Sequence, residues 1–168
     1  MTALLIAALL AAPLSDEEVR EKAQAYLGAI HGIKAEQWKE LGPRAAEVLE
    51  PIASDPNALP SKRAMALDGL AAAAPDRAAA LAVKLARDEK QPLVVRVAAV
   101  HAAGKVLPKE SALAELKPVL QGPHAGLRGE AAEVLSRHGA CSEVREQAAR
   151  EKRDRSSAWE RALSRCSE

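Results

Sequence analysis

Three ionisable residues, Asp68, His101 and Glu133, recur at intervals of 33 and 32 residues along the chain. Two carboxylates and an imidazole could together bind a metal ion or transfer a proton. Helices in contact have axes roughly 8–10 Å apart, so side chains from three successive helices converge only where the surface curves tightly. A solvated polar face is therefore the preferred interpretation.

Motifs of the common enzyme classes do not occur in the sequence. The chain has no G-x-S-x-G, no Walker-type glycine loop, no dinucleotide-binding fingerprint, no H-E-x-x-H and no C-x-x-C. His31, His124 and His138 show no metal-ligand spacing and are interpreted as turn or cap residues. We therefore predict a protein that is not an enzyme, with no catalytic residue, no metal site and no cofactor.

An internal repeat indicates the elements that would position the three ionisable residues. The frame R-x-x-A-apolar begins at Arg63, Arg96 and Arg128, which are also 33 and 32 residues apart. This period accommodates two short helices and two turns. Weaker copies of the frame begin at Arg20 and Arg155, at irregular distances from the others.

A second helical pattern lies between the frame arginines and is bounded by prolines. It predicts helices over 43–55, 75–88 and 108–121, each of which starts with Pro, a residue suited to the first helical turn. Pro51 and Pro118 fall inside two of these helices at matching places, where each removes a hydrogen bond. We therefore expect these first helices to be bent.

Paired helices of this kind, with an Asp eight residues before the frame Arg, resemble HEAT repeats. The Asp–Arg pairs are Asp55 with Arg63 and Asp88 with Arg96, and the short period is similar to that of the HEAT-like subgroup first associated with bilin lyases. The resemblance is clearest over residues 42–139. It implies an all-α protein, an α-solenoid of about four to five stacked antiparallel helix pairs that forms one domain over residues 15–168.

The resemblance also implies structural roles for the residues of the frame. In the family, the Asp of the turn and the Arg of the second helix form hydrogen bonds along the stack. The third unit departs from this pattern, because no equivalent Asp precedes Arg128. The ladder is therefore predicted to end there; its members would be Asp55, Arg63, Asp88, Arg96 and Arg128.

Each frame helix presents one apolar face and one polar face. At about 100° per residue, the positions three, four, seven and eleven after the frame Arg share the apolar face, which successive hairpins bury against one another. Positions two, five and nine lie on the opposite face, which in HEAT-type arrays lines the concave surface. This stripe is the predicted partner-binding site, and its principal residues are Met65, Asp68, Ala98, His101, Lys105, Glu130, Glu133 and Arg137.

The N-terminal segment 1–14 is apolar, and the first ionised side chain is Asp16. Its length is typical of a secretory signal peptide and falls short of the roughly 20 residues of a membrane-spanning helix. An export signal is the preferred interpretation; the alternatives are a short uncleaved anchor and a buried first helix of the fold. No Lys or Arg precedes the apolar run, and Pro13 follows the best cleavage residue, Ala12.

The two cysteines, Cys141 and Cys166, both fall in the last unit. Helices over about 142–152 and 156–165 would run antiparallel and bring the start of the first to the end of the second. In an exported chain a single pair of this kind predicts a disulfide. The alternative is two free thiols in a cytoplasmic protein.

The composition limits the classes of partner. Hydrophobic residues make up 48% of the chain but aromatic residues only 2%, and the formal net charge is +1, which offers no field to attract a polyanion. The preferred function is a non-catalytic protein–protein interaction scaffold of the bacterial cell envelope or exterior, which binds another protein or peptide and no nucleic acid. The alternatives are a bilin-lyase-like enzyme or chaperone, and a nucleic-acid-binding HEAT-like array.

Overall fold

The computed structural model of the chain describes residues 14–29, 31–151 and 156–167. This part of the chain is all-helical and contains no strand, which confirms the all-α part of the predicted fold class. The predicted leader lies outside the described residues except for Leu14. The helices are α1 (Asp16–Leu27), α2 (Ala35–Leu41), α3 (Ala46–Ser54, after a 3₁₀ turn at Pro43–Ala45), α4 (Pro60–Ala73), α5 (Pro75–Arg87), α6 (Leu93–Val106), α7 (Lys109–Leu120), α8 (Ala125–Arg137), α9 (Cys141–Arg150) and α10 (Ser157–Arg165).

Local sequence explains several helix boundaries. Ser15 and Glu18 form a capping box at the start of α1, in which Ser15 Oγ accepts from the Glu18 amide and the Glu18 carboxylate accepts from the Ser15 amide. Pro60 and Pro75 occupy the first position of α4 and α5, where the missing amide hydrogen costs nothing. Pro51 and Pro118 lie inside α3 and α7, as predicted. The bending of these two helices stays a prediction.

Helix contacts fall into two rows. In the first row, α2 contacts α4, α4 contacts α6, α6 contacts α8, and α8 contacts α10. In the second row, α3 contacts α5 and α5 contacts α7; the rows are joined by the hairpin pairs α3–α4, α5–α6, α7–α8 and α9–α10. We call α2, α4, α6, α8 and α10 the first row below. The frame arginines each take the fourth position of a first-row helix.

The predicted apolar seam is buried, with two exceptions at its ends. The buried positions are Ala66, Leu67, Leu70, Ala74, Ala99, Val100, Ala103, Ala131, Ala132 and Leu135. Leu107 is only half-buried, and Gly139 is exposed because it forms the turn after α8 with a φ of 76°. No helix in the described ranges is long and apolar enough to cross a membrane.

Glycines bring the first-row helices close together. A Cβ atom at Gly104 of α6 would lie 2.2 Å from Val134 Cγ1 of α8, and one at Gly69 of α4 would lie 2.8 Å from Trp38 Cδ2 of α2. Neither distance can be tolerated between carbon atoms, so these contacts require glycine. Small residues therefore set the spacing of the row that carries the frame arginines.

Candidate functional site

A surface cleft of about 640 Å³ crosses three helices of the first row, α4, α6 and α8. Of the predicted stripe, Asp68, Ala98, His101, Lys105 and Arg137 line it. Gly104 and His138 also line the cleft, although they are not part of the predicted stripe. The packing of α4, α6 and α8 therefore brings together residues up to 70 positions apart in sequence.

An ion pair joins two helices at one side of the cleft. The ammonium group of Lys105 on α6 donates a hydrogen bond to the Asp68 carboxylate on α4. Both side chains are about half exposed, so the pair contributes little to stability. The pair instead orients both side chains, because each charged group holds the other at the cleft surface.

His101 connects α6 to α8. Its Nε2 lies 2.9 Å from Glu130 Oε2, and its Nδ1 lies 3.3 Å from Arg137 Nη2. Because a guanidinium can only donate, Nδ1 accepts from Arg137, and Nε2 carries the proton that is donated to Glu130. In this arrangement both nitrogens of the imidazole have a partner.

Glu133 was predicted on the solvated stripe, and this prediction is wrong. The residue is only 8% exposed, because α10 packs across α8 and covers it. Arg161 of α10 donates to Glu133 Oε2 from Nε at 2.9 Å and from Nη2 at 2.6 Å, and Arg137 Nη1 lies 3.5 Å from Oε1. The hydrogen bonds from Arg161 are the main reason that the pKa of Glu133 lies below its ordinary value.

Asp68, His101 and Glu133 each have a different principal partner. These are Lys105, Glu130 and Arg161 respectively, and Arg137 contacts both His101 and Glu133. Within the part of the chain that the structure describes, no group of three or more His, Cys, Asp or Glu side chains is arranged to hold a metal ion.

The remaining stripe residues and histidines have clear structural surroundings. Met65 is half-buried and packs against the core, and Glu130 contributes to the cleft only through His101. His124 caps the start of α8, where its Nδ1 accepts a hydrogen bond from the Leu127 amide at 3.3 Å. His138 follows the end of the same helix, and its Nε2 lies 2.8 Å from the Gly104 carbonyl oxygen. The prediction that His124 and His138 are cap residues is confirmed.

The frame arginines occupy two kinds of environment. Arg63 Nε and Arg96 Nε each donate to the carbonyl ten residues earlier, Ala53 O and Ala86 O, both at 3.2 Å. Arg128 differs: its Nε and Nη2 donate to the Glu151 carboxylate at 2.6 and 2.8 Å. The third unit therefore departs from the first two at its Arg as well as at its missing Asp.

A relay through Gln91 joins the first two units. Arg63 Nη2 donates to Gln91 Oε1 at 2.7 Å, and Gln91 Nε2 donates to Asp88 Oδ2 at 2.7 Å. The bond from Gln91, with a second from the Lys90 amide, lowers the pKa of Asp88. Asp55 takes the matching turn position, where its Oδ1 accepts from the Asn57 amide at 2.8 Å.

The two cysteine sulfurs lie at disulfide distance. Cys141 begins α9, Cys166 follows α10, and their Sγ atoms are 2.09 Å apart. The two predicted helices are therefore present, and the disulfide prediction agrees with the structure. The predicted turn between them, at residues 153–155, falls outside the described residues.

Comparison with family models, with curated proteins and with solved structures found no match. No ligand or activity comes to the chain from a relative. The cleft between α4, α6 and α8 is the candidate site, because it brings together several residues of the predicted stripe and oriented charged groups.

We expect the Glu133→Gln variant to lose about 1–3 kcal/mol of unfolding free energy near pH 7, because the buried hydrogen bonds from Arg161 lose their charged acceptor. A carboxylate with a lowered folded-state pKa stabilises the protein above its unfolded pKa and loses that contribution as pH falls through the folded pKa. The gap between wild type and variant should therefore shrink on acidification. Urea unfolding between about pH 7 and about pH 3 measures it.

The matched control is Glu36→Gln, which removes an exposed carboxylate on α2 and should change stability by less than about 0.5 kcal/mol. Equal pH dependence of wild type and Glu133→Gln would contradict the assigned role of the Arg161 pair.

Proposed function

We propose that the chain is a HEAT-like α-solenoid that acts as a non-catalytic interaction scaffold and binds another protein or peptide in the cleft of its first row. The observation that carries the proposal is the cleft itself, since three successive first-row helices supply its walls. Repeat arrays commonly bind partners on such shared surfaces.

The solenoid part of the proposal is supported by the order of helix contacts. Every second helix from α2 to α10 contacts the next member of the first row, and hairpin partners connect this row to the second one. The frame arginines recur at the fourth position of α4, α6 and α8. A stack in which each unit mainly contacts its neighbours is the arrangement that these contacts support.

The chemistry of the cleft favours a polypeptide segment over other ligands. Lys105, Arg137 and His101 offer donors or positive charge, while the Asp68 carboxylate offers acceptors. A peptide carries backbone donors and acceptors and side chains of both signs, so it can exchange partners with such pairs. The prearranged ion pairs keep these groups at the surface before the partner arrives.

The two alternative functions lack the aromatic surface that they need. Nucleic-acid arrays stack bases on exposed aromatic rings, and a tetrapyrrole would need a similar platform. Trp38 and Trp159 are 0% and 1% exposed, and Tyr26 is half-buried against Trp38. The Asp68 carboxylate at the cleft would also repel phosphates.

Location in the cell envelope or outside the cell is part of the proposal. It is supported by the disulfide-distance pair of Cys141 and Cys166, since disulfides persist mainly in oxidising compartments. The apolar segment 1–14 is the second support, taken from the sequence.

The proposal is tested by photo-crosslinking in an extract of the source organism. A benzophenone amino acid is placed at Ala98, which lines the cleft, and in a matched variant at Ala80, which is exposed on α5. We expect one protein to be captured from position 98 and not from position 80. Reversing two cleft charges, Lys105→Glu with Arg137→Glu, should reduce that capture about tenfold or more.

Equal capture from both positions would contradict a cleft-specific partner. Capture that survives the charge reversal unchanged would place the partner on another face.

A further inference from the structure

A second pocket, of about 290 Å³, lies where the turn between α5 and α6 faces the turn between α7 and α8. It shares no lining residue with the cleft. One part of its wall is apolar, from Pro118, Val119 and Pro123, and the other is charged. The charged groups are Arg87, Glu89 and Arg96.

Arg96 is the unusual member of this wall. It is only 8% exposed, and its Nε donates to Ala86 O at 3.2 Å. No atom of the described residues accepts a hydrogen bond from either Nη group of Arg96. Asp88 lies close enough to interact electrostatically, but its oxygens accept from Gln91 and from the Lys90 amide. The Nη donors of Arg96 reach solvent, since the buried polar atoms without a partner include none of its atoms, and Arg96 lines the pocket. A largely buried guanidinium with donors open to a pocket is a suitable site for an oxyanion.

The first unit shows what satisfies the equivalent arginine. Arg63 makes the same Nε bond to the carbonyl ten residues earlier, and its Nη2 donates to Gln91 Oε1. Gln91 stands five residues before the next frame arginine, Arg96. The residue five before Arg128 is Pro123, whose side chain has no acceptor and which lines the pocket.

The other cation in the wall is already engaged. Arg87 Nη2 lies 2.7 Å from Glu115 Oε2, and Arg87 Nε donates to Glu115 O at 3.0 Å. Glu89 adds one negative charge to the wall. The pocket therefore suits a planar monoanion better than a phosphate dianion, and its proline and valine walls suit a small apolar group beside that anion.

We propose that this pocket binds a carboxylate attached to a small apolar group, with the Nη groups of Arg96 donating to the carboxylate oxygens and Pro118, Val119 and Pro123 contacting the apolar group. Two sources carry this chemistry: the C-terminal residue of a peptide and a free short-chain carboxylic acid. The site is independent of the cleft and of the partner proposed for it.

The test is isothermal titration calorimetry of the full chain with four probes. They are N-acetyl-alanyl-alanine, the same dipeptide as its C-terminal amide, isobutyrate and inorganic phosphate. We expect the dipeptide carboxylate to bind at least about tenfold more tightly than its amide and than phosphate. Isobutyrate that binds as tightly as the dipeptide would identify a free acid as the source, and weaker isobutyrate binding would identify a peptide C-terminus.

Two pairs of variants locate the site. Pro123→Gln places at position 123 the same kind of side-chain amide that accepts from Arg63 at Gln91. That amide would compete for the Nη donors of Arg96, so carboxylate binding should weaken at least about tenfold. Pro123→Ala adds no acceptor and should retain binding. Arg96→Lys should lose binding, while Arg63→Lys, which changes the matching arginine away from the pocket, should retain it. Pro123→Gln leaves Arg96 in place, so its result does not depend on whether Arg96→Lys folds.

Equal affinity for the carboxylate and its amide, no detectable binding of either carboxylate probe, or unchanged binding by Pro123→Gln would each overturn the proposal.

Discussion

Replacing Trp38 with alanine should lower the free energy of unfolding by about 3–5 kcal/mol, the usual cost of removing a large buried ring. Trp38 is fully buried, its ring meets Tyr26 edge-on with centroids 5.2 Å apart, and it lies against Gly69 of α4. The loss includes the contact that joins α2 to the rest of the first row. Chemical unfolding followed by circular dichroism measures the change.

The location of the effect tests the proposed solenoid. If the units stack in one dimension, the Trp38→Ala change should accelerate hydrogen exchange in α1 and α2 and leave α6 and α8 nearly unchanged. The control is Lys39→Ala, an exposed change on the same helix that should alter stability by less than about 0.5 kcal/mol. Uniform acceleration over all helices would indicate a single cooperative core and contradict the one-dimensional stack.

The recurring frame arginines and the prolines made much of the all-helical fold predictable. Proline positions and the frame arginines located α3 to α8 within a few residues, because these residues act on the backbone locally and recur in each unit. The same recurrence placed Asp68, His101 and Lys105 on a common face. Residues that share a helical position in successive units meet at one surface when those helices pack side by side.

Glu133 shows why the position of a residue on one helix does not by itself predict whether that residue is exposed. Its position five residues after Arg128 matches that of Asp68 and His101, yet α10 covers it. The weak terminal frame begins at Arg155, outside the described residues, and its irregular distance from Arg128 concealed how α10 would lie over α8. The burial of Glu133 depends on the contact between α8 and α10, which no pattern within α8 encodes.

Gln91 and Gly104 were missed for a different reason. The resemblance directed attention to Asp and Arg, whereas the acceptor for Arg63 is an amide five residues before the next frame Arg. The polar side chain of Gln91 in the turn before α6 is a sequence signal that could have identified this acceptor. Gly104 carries no such signal, since its requirement arises only from Val134 on another helix.

Changing both cysteines to serine should lower the free energy of unfolding by about 3 kcal/mol, through the greater freedom of the unfolded chain. Cys141 and Cys166 are 25 residues apart in sequence, and together they hold the start of α9 to the end of α10. In the proposed solenoid the terminal unit has a neighbour on one side only, so this link would replace part of the missing contact. Urea unfolding of the double variant measures the loss.

Loss of the cross-link should also weaken the packing of α10 on α8. Arg161 of α10 donates to Glu133 of α8, and Trp159 of α10 lies against Gly129 of α8. Hydrogen exchange in the double variant should rise mainly in α9 and α10. Adding a thiol reductant supplies the control: it should bring wild type to the stability of the double variant and leave the variant unchanged. A wild type that is insensitive to reductant while the variant is destabilised would mean that the serine hydroxyls, and not the lost cross-link, disturb a site where Cys166 is nearly buried.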